Sequence, residues 1–148
     1  MRRMVVIAAA LATLLTAGAA QAADHEVKML NKGAKGAMVF EPDLIPVAVG
    51  DTVTFLPTDK SHDAESVPGM APAGTTPFKG KMSEKVTVEI GAEGVYGVKC
   101  TPHYGMGMVA LIVAGKPVNL EEASAVKHPG KAKKAFDALL AQAAAPAQ

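Results

Sequence analysis

A succession of short apolar runs limits the possible folds of this chain more than any other feature. Seven such runs lie between residues 26 and 115, and Gly, Pro and Asp residues separate them. In two of them polar and apolar residues alternate, as in strands with one face in solvent. Short strands between frequent turn signals predict an all-β sandwich or barrel. The runs are 26–30, 38–40, 45–49, 52–56, 85–90, 95–100 and 108–113.

The pattern becomes helical after Gly115. Asn119, with Glu122 three residues later, resembles a helix N-cap followed by a carboxylate, and Pro129-Gly130 precedes a second helical run. Over residues 131–145 the apolar side chains recur at helical spacing, so one face of this helix is expected to cover the sandwich. The sequence therefore predicts a β-sandwich followed by two helices.

The first 22 residues are interpreted as an export signal. Two arginines precede an apolar stretch over residues 5–15, and Ala-Gln-Ala at residues 20–22 offers a signal peptidase site, with cleavage before Ala23. The apolar stretch is shorter than the ~20 residues of a membrane-spanning helix, so no anchor is expected to remain. Removing 22 of 148 residues leaves a single domain of 126 residues, 23–148. We predict export by the general secretory route and a periplasmic location.

Charge and cysteine usage narrow the function. The chain has 15 Lys and Arg residues against 14 Asp and Glu, and loss of Arg2 and Arg3 with the leader leaves 13 against 14. Nucleic-acid-binding domains normally carry a clear basic excess, so that class is discounted. The single cysteine, Cys100, cannot form an internal disulfide, and a free thiol outside the cytoplasm invites oxidation. A metal ligand is therefore its expected role.

Three side chains that suit copper lie within nine residues. Cys100, His103 and Met108 have the spacing Cys-x2-His-x4-Met. A thiolate and imidazoles in a trigonal plane, with a weak axial thioether, make a blue-copper electron-transfer site when one more histidine is supplied. His62 is the candidate for that position, and Met106 competes with Met108 for the axial one.

Strand alternation predicts the direction of the thiol. Cys100 shares a strand face with Val98 and points inward, whereas Lys99 points outward. Pro102 has no backbone N–H, which limits competing hydrogen bonds near the sulfur and stiffens the loop. Thr101 and Asp63 are placed to contact the ligands from outside, and such contacts orient ligands and tune the reduction potential.

Five stretches accompany the copper motif and extend the pattern over essentially all of residues 23–148. Together with the motif they resemble the pseudoazurin family, periplasmic blue-copper proteins of the cupredoxin superfamily. The resemblance implies a Greek-key cupredoxin sandwich with two C-terminal helices. The stretches are Met29-Leu30-Asn31-Lys32-Gly33, Gly36-Ala37-Met38-Val39-Phe40-Glu41-Pro42, Gly50-Asp51-Thr52-Val53-Thr54-Phe55, Pro57-Thr58-Asp59-Lys60-Ser61-His62 and Gly94-Val95-Tyr96-Gly97-Val98-Lys99.

The resemblance also implies roles for individual residues. The copper ligands would be His62, Cys100, His103 and Met108, because the family spacing selects Met108 over Met106. The residues around the ligands that match the family are Asn31, Met38, Thr101 and Pro102. Lysines at positions that surround the exposed histidine in the family, and that would steer an acidic partner, are Lys32, Lys60, Lys79 and Lys99.

By the same resemblance the chain would be a monomeric carrier of single electrons and not an enzyme. His103 would be the exit point for the electron. A copper-type or haem-type nitrite reductase would be the acceptor and a c-type cytochrome the donor. One position departs from the family, which usually has Asn where this chain has Asp63, and we expect an altered reduction potential or a more pH-sensitive site.

Three alternatives stand beside this interpretation. A periplasmic copper carrier or buffer would use the same ligands without an electron-transfer partner. A cysteine hydrolase would use Cys100 as nucleophile and His103 as base, although one tight loop with no orienting group is poor geometry for it. Zinc could replace copper, but zinc sites rarely recruit methionine.

Overall fold

Two four-stranded sheets form the body of the protein. The computed structural model describes residues 21–145, and most of the predicted leader lies outside them. One sheet has the strand order β2-β1-β4-β6 and the other β3-β8-β7-β5. The strands are β1 (Asp24–Gly33), β2 (Gly36–Glu41), β3 (Leu44–Val47), β4 (Thr52–Leu56), β5 (Glu65–Ser66), β6 (Val86–Glu89), β7 (Gly94–Lys99) and β8 (Val109–Ala114).

Pairing within the sheets is mixed. β1 pairs antiparallel with β2 and parallel with β4, and β3 pairs parallel with β8. β7 and β8 form an antiparallel pair in which Lys99 lies opposite Val109. The residues between these two positions, 100–108, therefore form the connection at one end of the sandwich, and this connection carries the copper motif.

The predicted strands are confirmed, with one addition. Run 52–56 coincides with β4, and the other six runs overlap strands with ends that differ by a few residues. The pattern missed β5, which has only two residues, Glu65 and Ser66, and pairs with the end of β7. A strand this short has no periodicity to detect.

The core has two parts, one on each side of the sheet that contains β7. Between the sheets, Phe40, Phe55, Val98 and Cys100 are buried together, and Phe40 and Phe55 meet edge to face at 5.5 Å. On the outer side Val95 joins a second cluster with the helical residues. β7 is buried on both faces. The middle of β4 is buried on both faces as well, although the alternation of run 52–56 predicted one face in solvent, whereas β6 keeps the predicted alternation.

Two helices cover that outer side, α1 (Leu120–Ser124) and α2 (Lys131–Ala144). In α2 the predicted apolar face is confirmed, because Ala132, Phe136, Leu139 and Leu140 are buried. None of the helices in residues 21–145 combines the length and apolar character that a bilayer span needs.

The predicted cap of α1 is wrong in one respect. Asn119 stands at the N-cap position, but its side chain makes no capping bond. Its Oδ1 accepts the backbone N–H of Val95 at 2.7 Å, and its Nδ2 donates to the carbonyl of Val95 at 3.0 Å. The side-chain amide thus pairs with the buried backbone N–H and carbonyl of Val95. Leaving these two groups unpaired would cost more free energy than the loss of a helix cap, because unpaired buried backbone groups are costly.

Candidate metal centre

One end of the sandwich brings a thiol and two imidazoles together. Cys100 follows β7, His103 lies three residues on, and His62 belongs to the loop between β4 and β5. Cys100 Sγ is 3.6 Å from His62 Nδ1 and 3.5 Å from His103 Nδ1, and the two Nδ1 atoms are 3.1 Å apart. The structure therefore assembles these three predicted ligands, one of them from a segment 38 residues away.

The imidazole of His62 is fixed on the side away from Cys100. Its side chain is fully buried, and its Nε2 lies 2.8 Å from Oδ1 of Asn31, which therefore accepts the Nε2 proton. This hydrogen bond leaves Nδ1 as the free lone pair directed toward Cys100. Burial, and after it the neighbouring His103 imidazole, lowers the pKa of His62, which favours the neutral form that can bind a metal.

The Cys100–Met108 connection closes on itself through backbone hydrogen bonds. Cys100 N–H donates to the carbonyl of Met108 at 3.0 Å, and Met108 N–H donates to that of His103 at 3.2 Å. The segment contains a short 3-10 helix, Tyr104–Met106, and Gly107 ends it with a φ of 93°. A side chain at Gly107 would be strained at this φ and would approach Lys131 of α2. The loop therefore has a defined conformation backed by the helix.

The two methionines of this loop have different surroundings. Met108 is fully buried in the same core cluster as Cys100, whereas Met106 is 51% exposed. A thioether that completes a buried centre must be on the inner side of the loop. This difference supports Met108 as the axial candidate and places Met106 on the surface.

Asp63 links the two segments that carry the ligands. The residue is buried, and its Oδ1 accepts the backbone N–H of Thr101 at 2.6 Å. Asp63 follows His62 and Thr101 follows Cys100, so this bond fixes the two segments relative to each other. Hydrogen bonds to ionised groups are about twice as strong as neutral ones. The Asp63 side chain thus acts as an acceptor at this position.

Burial dominates the acidity of the thiol. Cys100 is fully buried, and burial raises its pKa to about 11, while hydrogen bonds from the backbone of Asp63 and His103 oppose the rise. A thiol in this state is a poor nucleophile near neutral pH, and the residue has no surface exposed to solvent. A cation bound beside the sulfur would instead favour the thiolate. These properties argue against the hydrolase interpretation.

The remaining predicted residues lie at different depths. Thr101 and Pro102 are exposed, and Thr101 donates its hydroxyl hydrogen to Glu65 Oε2 at 2.9 Å. Met38 is half-buried at the edge of the core cluster that contains Cys100 and Met108.

The four predicted docking lysines are not equivalent. Lys32 and Lys60 are exposed and form no salt bridge within the described residues. Lys79 is exposed, and its Nζ lies 3.9 Å from Glu65 Oε1. Lys99 is half-buried, with its Nζ 5.1 Å from the ring centre of Tyr104.

Sequence reasoning missed two groups that support the site. Asp59 accepts the backbone N–H of Asn31 at 2.7 Å and so fixes the residue that orients His62. Tyr104, next to His103, has its hydroxyl 2.6 Å from Nδ1 of His128 in the connection before α2. Both contacts join residues more than twenty positions apart. No local pattern could have indicated either of them.

The donor set fits copper. Ligands about 2 Å from one ion in a trigonal plane lie ~3.5 Å from each other, and the three ligand atoms have separations of this size. A soft sulfur with two imidazoles and a buried thioether suits Cu(I) and Cu(II) alike. All three ligand atoms lie within 4.8 Å of one another, close enough to share one ion.

Comparison with known proteins agrees with this chemistry. Residues 27–115 match the family of copper binding proteins described as plastocyanin/azurin. A putative pseudoazurin of Rhizobium leguminosarum is 51% identical over 93% of this chain and 91% of its own length. The pseudoazurin of Paracoccus pantotrophus is 51% identical over 91% of this chain and 94% of its own. The chain belongs to the pseudoazurin family. Family membership establishes copper as its metal.

A solved structure supports the fold independently. The crystal structure of pseudoazurin from Hyphomicrobium denitrificans superposes with a TM-score of 0.77 at 50% identity, covering 80% of this chain and 97% of that one. The cupredoxin sandwich with two C-terminal helices is therefore confirmed. Membership in a copper-binding family also leaves zinc without support as the native metal.

Proposed function

We propose that this pseudoazurin carries single electrons between redox proteins of the periplasm, with His62, Cys100, His103 and Met108 as its copper ligands. The observation that carries the proposal is the triangle formed by the sulfur of Cys100 and the Nδ1 atoms of His62 and His103. Cys100 and His62 are buried, whereas His103 is half-buried. Copper in such a donor set supplies a one-electron couple between Cu(I) and Cu(II). The cleavage before Ala23 and the periplasmic location belong to the same proposal.

Hydrogen bonds and burial within the chain hold the copper ligands in place. Fast electron transfer needs ligands that move little between oxidation states. His62 is fixed by Asn31, and the Asp63 to Thr101 hydrogen bond holds the two ligand segments together. Burial of Cys100 and Met108 keeps water from the sulfur ligands. These contacts restrict the movement of the donors.

The electron would leave through His103. His62 and Cys100 are fully buried, whereas the imidazole of His103 is half-buried, so its outer edge is the ligand surface that a partner can approach. Exposed Met106 lies three residues away in the same loop and would contribute apolar contact area. A partner that docks on this end would come close to the centre without entering the protein.

Positive charge would guide the partner. Lys32, Lys60, Lys79 and Lys99 would attract an acidic surface at low ionic strength, which accelerates encounter more than it increases affinity. Lys32 and Lys60, which are exposed, are expected to contribute more than Lys79, whose charge Glu65 partly offsets. The proposed acceptor is a nitrite reductase and the proposed donor a c-type cytochrome, with this chain acting as a monomer.

The ligand set is tested by adding Cu(II) to the mature protein and recording visible and electron paramagnetic resonance spectra. We expect an intense blue thiolate-to-copper band with a narrow copper hyperfine splitting, and loss of both in Cys100→Ala. Met106→Leu is the matched control and should keep both, whereas Met108→Leu should alter them. A pale spectrum of ordinary tetragonal copper in the unaltered protein would contradict the assignment.

The electron-transfer role is tested separately by stopped-flow mixing of the reduced protein with a purified nitrite reductase. We expect rapid loss of electrons to the acceptor, slowed by rising salt. Slow transfer, together with ready release of copper to a chelator, would instead favour the copper carrier or buffer. Rates independent of ionic strength would contradict the role of the lysines.

A further inference from the structure

The start of β1 forms a second group of polar contacts at residues 23–25. Ala23 N–H donates to Oδ1 of Asp51 at 2.9 Å, and Nε2 of His25 lies 2.8 Å from Oδ2 of the same carboxylate. Ala23 is exposed, and the His25 side chain is 32% exposed. One carboxylate thus holds the backbone nitrogen of residue 23 and the imidazole of residue 25 close together at the surface.

Cleavage before Ala23 would change the chemistry of this group. The nitrogen of Ala23 would become a terminal amine, and His25 would become the third residue of the mature chain. A terminal amine, the amide nitrogens of the second and third residues and an imidazole nitrogen of that third residue can close three fused chelate rings around one ion. Four nitrogens in a plane are the geometry that Cu(II) and Ni(II) prefer.

We propose that the processed protein binds a second Cu(II) ion at its amino terminus, through the amine of Ala23, the amide nitrogens of Asp24 and His25, and Nδ1 of His25. The proposal rests on the cleavage site inferred above, and it does not depend on the ligands of the blue centre. This second site would hold Cu(II) in a tetragonal environment without sulfur.

The hydrogen bond to Asp51 leaves the imidazole with the tautomer that this role needs. His25 uses Nε2 for Asp51, and none of the hydrogen bonds found in residues 21–145 involves its Nδ1. Nδ1 is the nitrogen whose lone pair can reach back toward the chain's own amides. A carboxylate on the far nitrogen of a metal-bound histidine is the usual way in which proteins fix such a ring. Asp51 would supply that contact here.

Binding would cost the first pairings of one strand. Asp24 lies opposite Thr52 and His25 opposite Val53 in the parallel pair of β1 and β4, and Thr52 N–H donates to the carbonyl of Ala23 at 2.9 Å. Coordination of the two amide nitrogens would require the strand to open as far as His25. Val27 is fully buried in the core, so the opening would stop before it. The remaining pairings of β1 would be kept.

Coordination displaces the amide protons of Asp24 and His25 and the extra proton of the terminal ammonium group, and all of them pass to solvent. No electron is transferred in this step. Deprotonated amides are hard, anionic donors that favour Cu(II) over Cu(I), so this copper would not be expected to exchange electrons with redox partners.

The test starts from protein exported through its own leader, whose first residue is read by mass spectrometry. The blue centre is filled with one equivalent of Cu(II), and further Cu(II) is then titrated. We expect one more equivalent to bind, with a tetragonal paramagnetic resonance signal that shows splitting from nitrogen, while the blue band stays unchanged. Ni(II) added in place of the second Cu(II) should give the spectrum of a square-planar ion.

Two variants locate the site. His25→Ala should lose the additional equivalent, and so should a protein with one extra glycine before Ala23, because its amine is then one residue too far from His25. His128→Ala is the matched histidine control and should retain the equivalent. Cys100→Ala should also retain it while losing the blue band, which separates this inference from the ligand assignment of the main centre.

Three results would overturn the proposal. One is a mature chain that begins at a residue other than Ala23. Another is an additional equivalent that survives both His25→Ala and the added glycine, since the ion would then bind elsewhere. The third is the absence of any additional tight equivalent in a protein that does begin at Ala23.

Discussion

The two histidines of the copper centre lie in opposite kinds of surroundings. His62 is buried together with Asp63 and Ala64, and its ring is fixed by the side chain of Asn31 in β1. The Cys100–Met108 loop, which carries His103, is half-exposed and is shaped by its own backbone hydrogen bonds and by α2 behind it. One region anchors the centre and the other gives access to it. An electron carrier needs both, since a rigid site must still come close to a partner.

Removal of each imidazole should give the largest contrast between the two regions. His62→Gly and His103→Gly are both expected to lose the blue spectrum, because each removes a ligand. Added imidazole should restore colour in His103→Gly, where the space opens toward solvent, and not in His62→Gly, where it is enclosed. The measurement is the visible spectrum of each copper-loaded variant during an imidazole titration. Equal rescue of both variants would mean that the two ligand positions are equally open to solvent, which would contradict the difference between the two regions.

Loss of the hydrogen bond between Asn31 and His62 should have the next largest effect. Asn31→Ala removes the acceptor for Nε2 of His62, and we expect copper affinity to fall by roughly 10–100-fold, as for other groups that orient metal ligands. Folding stability should fall by about 1 kcal/mol. Competition with a chelator measures the first effect and denaturant unfolding the second. Asn31→Asp retains an acceptor and should recover most of the affinity, whereas equal losses in the two variants would contradict the orienting role.

The contrast also explains what the sequence could and could not predict. Cys100, His103 and Met108 are close along the chain, so spacing indicated three candidate ligands, and the alternation of β7 predicted the inward thiol. His62 was already a candidate for the second histidine position, but only the resemblance to a family selected it, because no local motif surrounds it. The contacts of His62 with Asn31 and of Tyr104 with His128 span 31 and 24 residues. Such contacts depend on sheet order and register, which single-sequence periodicity does not determine.

Asp63 links the two regions, and its replacement should change the reduction potential of copper more than the free energy of unfolding. Asp63→Asn keeps an oxygen that accepts the Thr101 N–H, so stability should change little. Removal of a negative charge beside the centre favours the reduced state, and we expect the reduction potential to rise on the order of tens of millivolts. Protein-film voltammetry measures it. Asp63→Ala, which also loses the hydrogen bond, should in addition unfold at lower denaturant, and an unchanged potential in both variants would contradict this role.

The contact between the Cys100–Met108 loop and the helical region should have a smaller effect, mainly on the rate at which copper is released. Tyr104→Phe removes the hydroxyl that bonds to His128, and we expect stability to fall by about 1 kcal/mol and copper to leave severalfold faster. Tyr96→Phe is the matched control, since it removes a bond of the same 2.6 Å length to the carbonyl of Ala92, away from the copper loop. It should lower stability equally and leave copper release unchanged. Equal release rates in the two variants would mean that the helices do not restrain the loop.

The smallest expected effect concerns a carboxylate remote from both regions. Hydrogen bonds from Ala23 N–H, His25 and Ala48 N–H lower the pKa of Asp51 from 3.8 to about 2. Because the pKa is lower in the folded state, ionised Asp51 stabilises the fold fully above about pH 4, and this contribution is lost as the pH falls toward 2. Unfolding of the metal-free protein between these pH values should therefore be less pH-dependent in Asp51→Asn, while the blue spectrum of the copper-loaded variant at neutral pH stays unchanged. A changed spectrum would mean that this end of β1 is coupled to the copper centre. Asp51 would then have to be counted among the residues that support the centre, along with the His62 region and the Cys100–Met108 loop.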